Sequence, residues 1–238
     1  MNQQGIWEQW INLHDRMLRD SNPHINPDRL AAPFFSVPDD SEGQSRSRPI
    51  LLVGKATAGS WYLDKYYDAK SKPIDQRVDE RIERTKAFLK AKIEYGAGAS
   101  AFWGLWRELK DGGFPVIWSN LAKIGVVQGN PPLWYLREQQ GLAKETLEAE
   151  IRQYNPVLVF LVTGFFGRDE IVCPFLKEGR RCFEVTGSRY WSREYASAQP
   201  GVLWTSHPQG KPKETVRAWL DKAIELYEAA SSWPSDKH

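Results

Sequence analysis

The run "VLVFLVTG" at 157–164 constrains the fold more than any other stretch of the chain. It is apolar almost throughout, it begins after Asn155 and Pro156, and it ends in glycine. A strand with one wet face would alternate polar and apolar residues. This one does not, so it is expected to be buried on both faces. The preceding pattern of Leu147, Ile151 and Tyr154 has helical spacing, and Asn155-Pro156 forces it to stop. A doubly covered strand fed by a helix belongs to a mostly parallel sheet with helices on each side.

The rest of the chain repeats that unit. "PILLVG" at 49–54 is a second all-apolar run ending in glycine, and "FPVIWSNL" at 114–121 is strand-like and ends in Ser-Asn. "RCFEVTG" and "GVLWTS" are weaker strand candidates. Ile74, Val78 and Ile82, followed by Phe88 and Leu89, mark an amphipathic helix. "SAFWGLWREL" reads as a more buried one, and Val216, Trp219, Ala223, Ile224 and Tyr227 mark a C-terminal one. The polar stretch at 36–49 is turn-rich and reads as a loop after an N-terminal helical arm. The expectation is a three-layer α/β/α domain around about four strands, with residues 1–48 as arm and loop and 49–230 as core.

In open parallel sheets ligands sit beyond the carboxyl ends of the strands. That rule selects "GKATAGSW" from Gly54, Asn120 in "PVIWSNL", and "SHPQGK" around His207. Small residues at Gly54 suit close approach to a ligand or an ordinary strand-to-helix turn. Neither a phosphate loop nor a dinucleotide fingerprint is present. An asparagine offers one acceptor and two donors in a plane, which suits reading a base edge or capping a turn. His207, one of only four histidines, is open to three roles: a hydrogen-bonder within its loop, a metal ligand, or a group aimed at a substrate. No neighbouring His, Cys or carboxylate pair supplies ligand spacing, so no metal and no cofactor is expected.

Composition narrows the partners. Eleven tryptophans and 13% aromatics exceed a core's ordinary share and also suit stacking on flat ligands. A net charge of +2 does not mark a polyanion binder, so any nucleic-acid surface must come from local clustering. One such cluster is "KEGRRCFEVTGSRYWSR", with Lys177, Arg180, Arg181, Arg189, Tyr190, Trp191 and Arg193: cations for phosphates, rings to stack or wedge, or else a solvated loop. No stretch approaches the length of apolar chain that spans a bilayer, the start is not that of a signal peptide, and two cysteines are too few for a disulfide scaffold. The expectation is a cytoplasmic monomer.

The three strand-end motifs, "LLVGKATAG", "VIWSNLAKIG…GNPP" and "WTSHPQGK", resemble in order and spacing those of the uracil-DNA glycosylase superfamily. "LEAEIRQYNPVLVFLVTG" is similar to that superfamily's helix–strand unit, and the likeness runs over about 49–229. It implies an enzyme that extrudes a nucleotide from double- or single-stranded DNA and cleaves the bond between base and sugar. By the resemblance His207 stabilises the departing base, Asn120 reads its edge, and Gly54, Lys55, Ala56, Thr57, Ala58 and Trp61 line the base pocket. Lys211 and the basic stretch would hold DNA.

The first motif departs from the superfamily's uracil-restricted branch. The carboxylate that positions water there falls on Ala56 here. Asp64 and Asp68 lie downstream, where solvated surface roles suit them. The tyrosine that bars substituents at pyrimidine position 5 falls on Ala58. The resemblance therefore implies a modified or 5-substituted pyrimidine rather than strictly uracil, in DNA repair or in defence against phage. The iron–sulfur cysteines of other branches are missing, and "HPQGKP" lacks a bulky apolar wedge. A binding module on the same fold, with its chemistry lost, is the alternative.

Overall fold

The computed structural model describes residues 3–19, 30–38, 48–58, 71–94, 100–126, 131–176, 182–184, 192–195 and 200–231. Its strands are β1 (Ile50–Ala58), β2 (Val116–Val126), β3 (Leu158–Leu161), β4 (Cys182–Glu184), β5 (Ser192–Tyr195) and β6 (Gly201–Thr205). The helices are α1 (Gln3–Arg19), α2 (Ile74–Glu94), α3 (Ala101–Asp111), α4 (Leu133–Tyr154), a short α5 (Cys173–Leu176) entered through a π-turn at Arg168–Val172, and α6 (Lys213–Ser231).

The strands form one sheet in the order β2-β1-β3-β6-β5-β4. The first four are parallel, and β5 and β4 continue the sheet antiparallel. The expected four-strand parallel core is present, and the antiparallel margin enlarges it. β4 falls within the weaker strand candidate "RCFEVTG", and β5, in the stretch for which a solvated loop was one reading, is a further strand.

The reason for the apolar runs is visible in the pairing. β1 has β2 on one side and β3 on the other. Ile50–Val53 and Leu158–Leu161 are at most 1% exposed, because helices cover both faces as well. α4 stops where Asn155 turns left-handed at φ 44°, its N–H bonding to the Ile151 carbonyl, one residue before the proline that cannot continue the helix.

Neighbouring residues on β2 show the layering. Trp118 packs on Phe88 of α2 and on Phe102 and Trp103 of α3. The hydroxyl of Ser119, facing the other way, donates to Glu150 of α4 at 2.7 Å. α6 touches α3, β3 and β6, completing the layer on the Trp118 side. The result is three layers, α/β/α.

The apolar core extends to both sides of residue 48. Trp7, Trp10 and Ile11 of α1 are buried in it, as are Leu30, Phe34 and Phe35. Residues 30–34 run antiparallel along the outer edge of β2, with the Ala31 N–H on the Gly125 carbonyl and the Phe34 N–H on that of Lys123. That strap occupies hydrogen-bonding groups which an edge strand would otherwise leave open. Of the tryptophans, residues 7, 10, 106, 118, 204 and 219 are buried, so much of the aromatic excess is core.

Candidate functional site

Both strands that carry the first two motifs run further than their sequence suggested. β1 continues through Gly54 to Ala58, so "GKATA" is strand rather than a strand-to-helix turn. β2 continues past Asn120 to Val126, which removes the turn-cap reading of that asparagine. Each strand supplies the other's missing pairing. Gly54 lies opposite Asn120 and Ala56 opposite Ala122, with an irregularity before Ala58 meets Val126.

The glycine at 54 is required by close approach. A Cβ there would sit 2.7 Å from the Asn120 Oδ1 and 3.1 Å from the Phe102 ring. Asn120 is itself buried, at 4% exposure. Its Oδ1 accepts a hydrogen bond from the Trp118 indole N–H at 3.2 Å, which fixes the orientation of the amide. The Nδ2 end, also buried, has no hydrogen-bond partner among the described residues. Leaving a buried donor unmade disfavours the folded state, and such exceptions call for an explanation. An acceptor on a bound ligand, such as a carbonyl oxygen or ring nitrogen of a base, would supply it.

His207 stands two residues beyond β6. Its Nδ1 accepts the backbone N–H of Gln209 at 3.3 Å, which leaves the proton on Nε2 and makes that nitrogen a donor. The loop behind it is set by Gly210 at φ +71° and by the Lys211 N–H on the Pro208 carbonyl. On the other side, Gly164 beyond β3 has φ +60°, and a Cβ there would lie 3.3 Å from the backbone nitrogen of His207. Burial, with the charges of Lys55 and Lys211, pushes the imidazole pKa down to about 4. The ring is therefore neutral at physiological pH.

Lys55 joins this cluster from β1. It is half-buried, and burial together with the like charge of Lys211 lowers its pKa. No ion pair involves Lys55 among the described residues. Lys55 of β1 thus shares an electrostatic environment with His207 and Lys211 beyond β6, while Asn120 of β2 packs against Gly54, the residue before Lys55. Phe102 and Trp118 pack against Gly54 and Asn120, and sequence reasoning missed both as site residues. The aromatic density of "SAFWGLW" was the signal for Phe102, and Trp118 stands in "PVIWSNL", two residues before Asn120.

Other expected site residues add no polar group to this geometry or lie outside the described residues. Ala56 is on β1 and carries no ionisable group. Thr57 and Ala58 continue the strand, but their side chains lie outside the described residues, as does that of Arg193 on β5. Trp61, Asp64, Asp68, Lys177, Arg180, Arg181, Arg189, Tyr190 and Trp191 also lie outside them. Among the described residues no cluster of three or more His, Cys, Asp or Glu could hold a metal ion, and no helix is long and apolar enough to cross a membrane. No protein-family model, curated protein or solved structure matches the chain.

Proposed function

We propose that this protein is a DNA glycosylase that extrudes a pyrimidine, modified or 5-substituted rather than strictly uracil, and cleaves its N-glycosidic bond. The reading is supported by two donors on the parallel half of the sheet: the buried, unpartnered Nδ2 of Asn120 on β2 and the Nε2–H of a neutral His207 beyond β6. As the bond breaks, its electrons pass to the base, and negative charge collects on the glycosidic nitrogen and the carbonyl oxygen next to it. His207 donates to that oxygen, and Asn120 donates to an acceptor on the base edge. A donor fixed before the reaction stabilises the developing anion without reorganisation, to the extent of about 3 kcal/mol. The cations at Lys55 and Lys211 favour the same charge. The sugar, left cationic, is captured by water.

Cytoplasmic action in DNA repair or in defence against phage fits such a substrate. A second reading, a nucleic-acid-binding module without chemistry, is favoured by one feature: Ala56 supplies no carboxylate to hold water.

The test is incubation with DNA containing uracil, thymine mismatches, 5-hydroxymethylcytosine or glucosylated hydroxymethylcytosine, followed by detection of abasic sites. The expected result is release of at least one base, lowered about a hundredfold or more by His207→Ala without loss of fold. DNA binding with no base released from any of them would leave the binding module. An equal fall in thermal stability and activity in His207→Ala would make the histidine structural.

A further inference from the structure

We propose that Trp118 is a positioning residue that sets base preference, holding the Oδ1 of Asn120 so that the amide can read a base only as a donor. Such a reader favours a cytosine-type base, with a bare nitrogen at position 3, over a uracil- or thymine-type base with N3–H there. The inference rests on the glycosylase reading and narrows its substrate class.

Strand alternation puts Trp118 and Asn120 on the same face of β2, toward α2 and α3. An indole N–H can only donate, so the atom it meets at 3.2 Å must be the amide oxygen and not the amide nitrogen. The indole is itself held in place. Trp118 is buried, its ring centroid 4.0 Å from that of Phe34 and 4.7 Å from that of Trp103. A carbonyl oxygen has a second lone pair, but β1 crowds this one: a Cβ on Gly54 would come within 2.7 Å of it. Turning the amide over would set Nδ2 against the indole N–H, donor against donor. What remains for a ligand is Nδ2, which is buried and has no hydrogen-bond partner among the described residues.

The pyrimidines differ where such a reader looks. Cytosine offers two adjacent acceptors, O2 and N3, whereas uracil and thymine carry N3–H between O2 and O4. With His207 assigned to the oxygen beside the glycosidic nitrogen, a donor at the next edge position meets an acceptor in cytosine. In uracil it meets another donor, or it reaches past to O4 and leaves N3–H without an acceptor. Sites discriminate strongly by leaving a buried polar group unmade in the wrong ligand. An amide free to turn could serve either base, through Oδ1 for uracil or Nδ2 for cytosine. The indole removes that freedom.

The experiment uses the full chain and matched duplexes containing 5-hydroxymethylcytosine or 5-hydroxymethyluracil, and the same two bases glucosylated. Each base stands opposite a stable abasic analogue, so that neither is paired and only the cytosine or uracil edge differs. The kcat/KM for base release should favour the cytosine member by about tenfold or more. Trp118→Phe keeps most of the packing but lacks the N–H, so the amide can turn, and the preference should shrink by about tenfold. A merely structural tryptophan would lower both rates together and leave their ratio alone. Equal rates or a uracil preference in the unaltered protein would overturn the proposal, as would an unchanged ratio in folded Trp118→Phe. If that variant does not fold, the preference of the unaltered protein still carries the test. Release with the wrong preference removes this inference alone, whereas no release of any base removes the glycosylase reading and this inference with it.

Discussion

Two lysines in this molecule are taken out of water in opposite ways. Lys123 is buried on β2 at 2% exposure, where its ammonium meets the Glu150 carboxylate and donates to Ser119 at 2.7 Å and Ser36 at 3.1 Å. Ser36 and Ser119 in turn donate to Glu150. Burial lowers the Lys123 pKa, and Glu150 opposes that. Lys55, on the neighbouring strand, is only half-buried, yet its charged neighbour is another cation and lowers its pKa further. The division falls between consecutive residues: Ser119 faces the closed network, and Asn120, on the opposite face of β2, keeps a donor unmade. A polar group that is buried and satisfied holds the fold together.

The largest effect should come from breaking the closed network. Glu150→Leu leaves the Lys123 ammonium buried without its carboxylate, and a loss of about 3–5 kcal/mol in chemical denaturation is expected. The double variant Lys123→Met/Glu150→Leu should recover most of it, since no charge is then stranded. Equal losses in single and double variants would mean that packing, not charge pairing, is what Glu150 supplies.

Asn120→Ala sharpens the contrast from the other side. The change deletes a donor that has no protein partner but also the acceptor of the Trp118 indole N–H, so stability should fall by about 1–3 kcal/mol, less than for Glu150→Leu. Discrimination between bases should fall by roughly ten- to a hundredfold, because a buried polar contact to the substrate is what enforces it. A stability loss as large as that of Glu150→Leu would place Asn120 with the structural network instead.

The smallest effect is a titration. The folded state holds His207 at a pKa of about 4, against 6.5 for an ordinary histidine. Between those values the unfolded chain binds more protons. The histidine's contribution is thus fully present above about pH 6.5 and is lost as pH falls toward 4. NMR should show the Nε2–H tautomer at neutral pH and a midpoint near 4, with His207→Gln flattening the slope of stability across that window. A midpoint near 6.5 would mean that the ring lies open to water, unlike the cluster described.

Sequence patterning reached the parallel strands and long helices because each carries its own period. "VLVFLVTG" needed no partner to be read, and Asn155-Pro156 marked the end of α4 by local chemistry. What escaped depends on residues far apart. Lys123 reads as a polar break in β2 until Glu150, on another element, neutralises it, so the strand was cut short at Leu121. Gly54 reads as a turn glycine until Asn120 is placed opposite it. The order of the three strand-end motifs gave His207 and Asn120. The histidine's tautomer, the orientation of the asparagine amide and the burial that depresses Lys55 are products of packing, which no window of sequence contains.

The central place of β1 has a consequence for how the chain is made. Its two neighbours, β2 and β3, are both synthesised later, the second beginning only at Leu158. During translation the apolar segment 50–53 therefore emerges long before anything can pair with either of its edges. Pairings between distant residues are slow to form, and an uncovered strand is exposed to other chains while it waits. A ribosome-bound chain stalled before residue 158 should thus be a strong client for chaperones that hold extended apolar segments, and one stalled well after Thr205 a weak one.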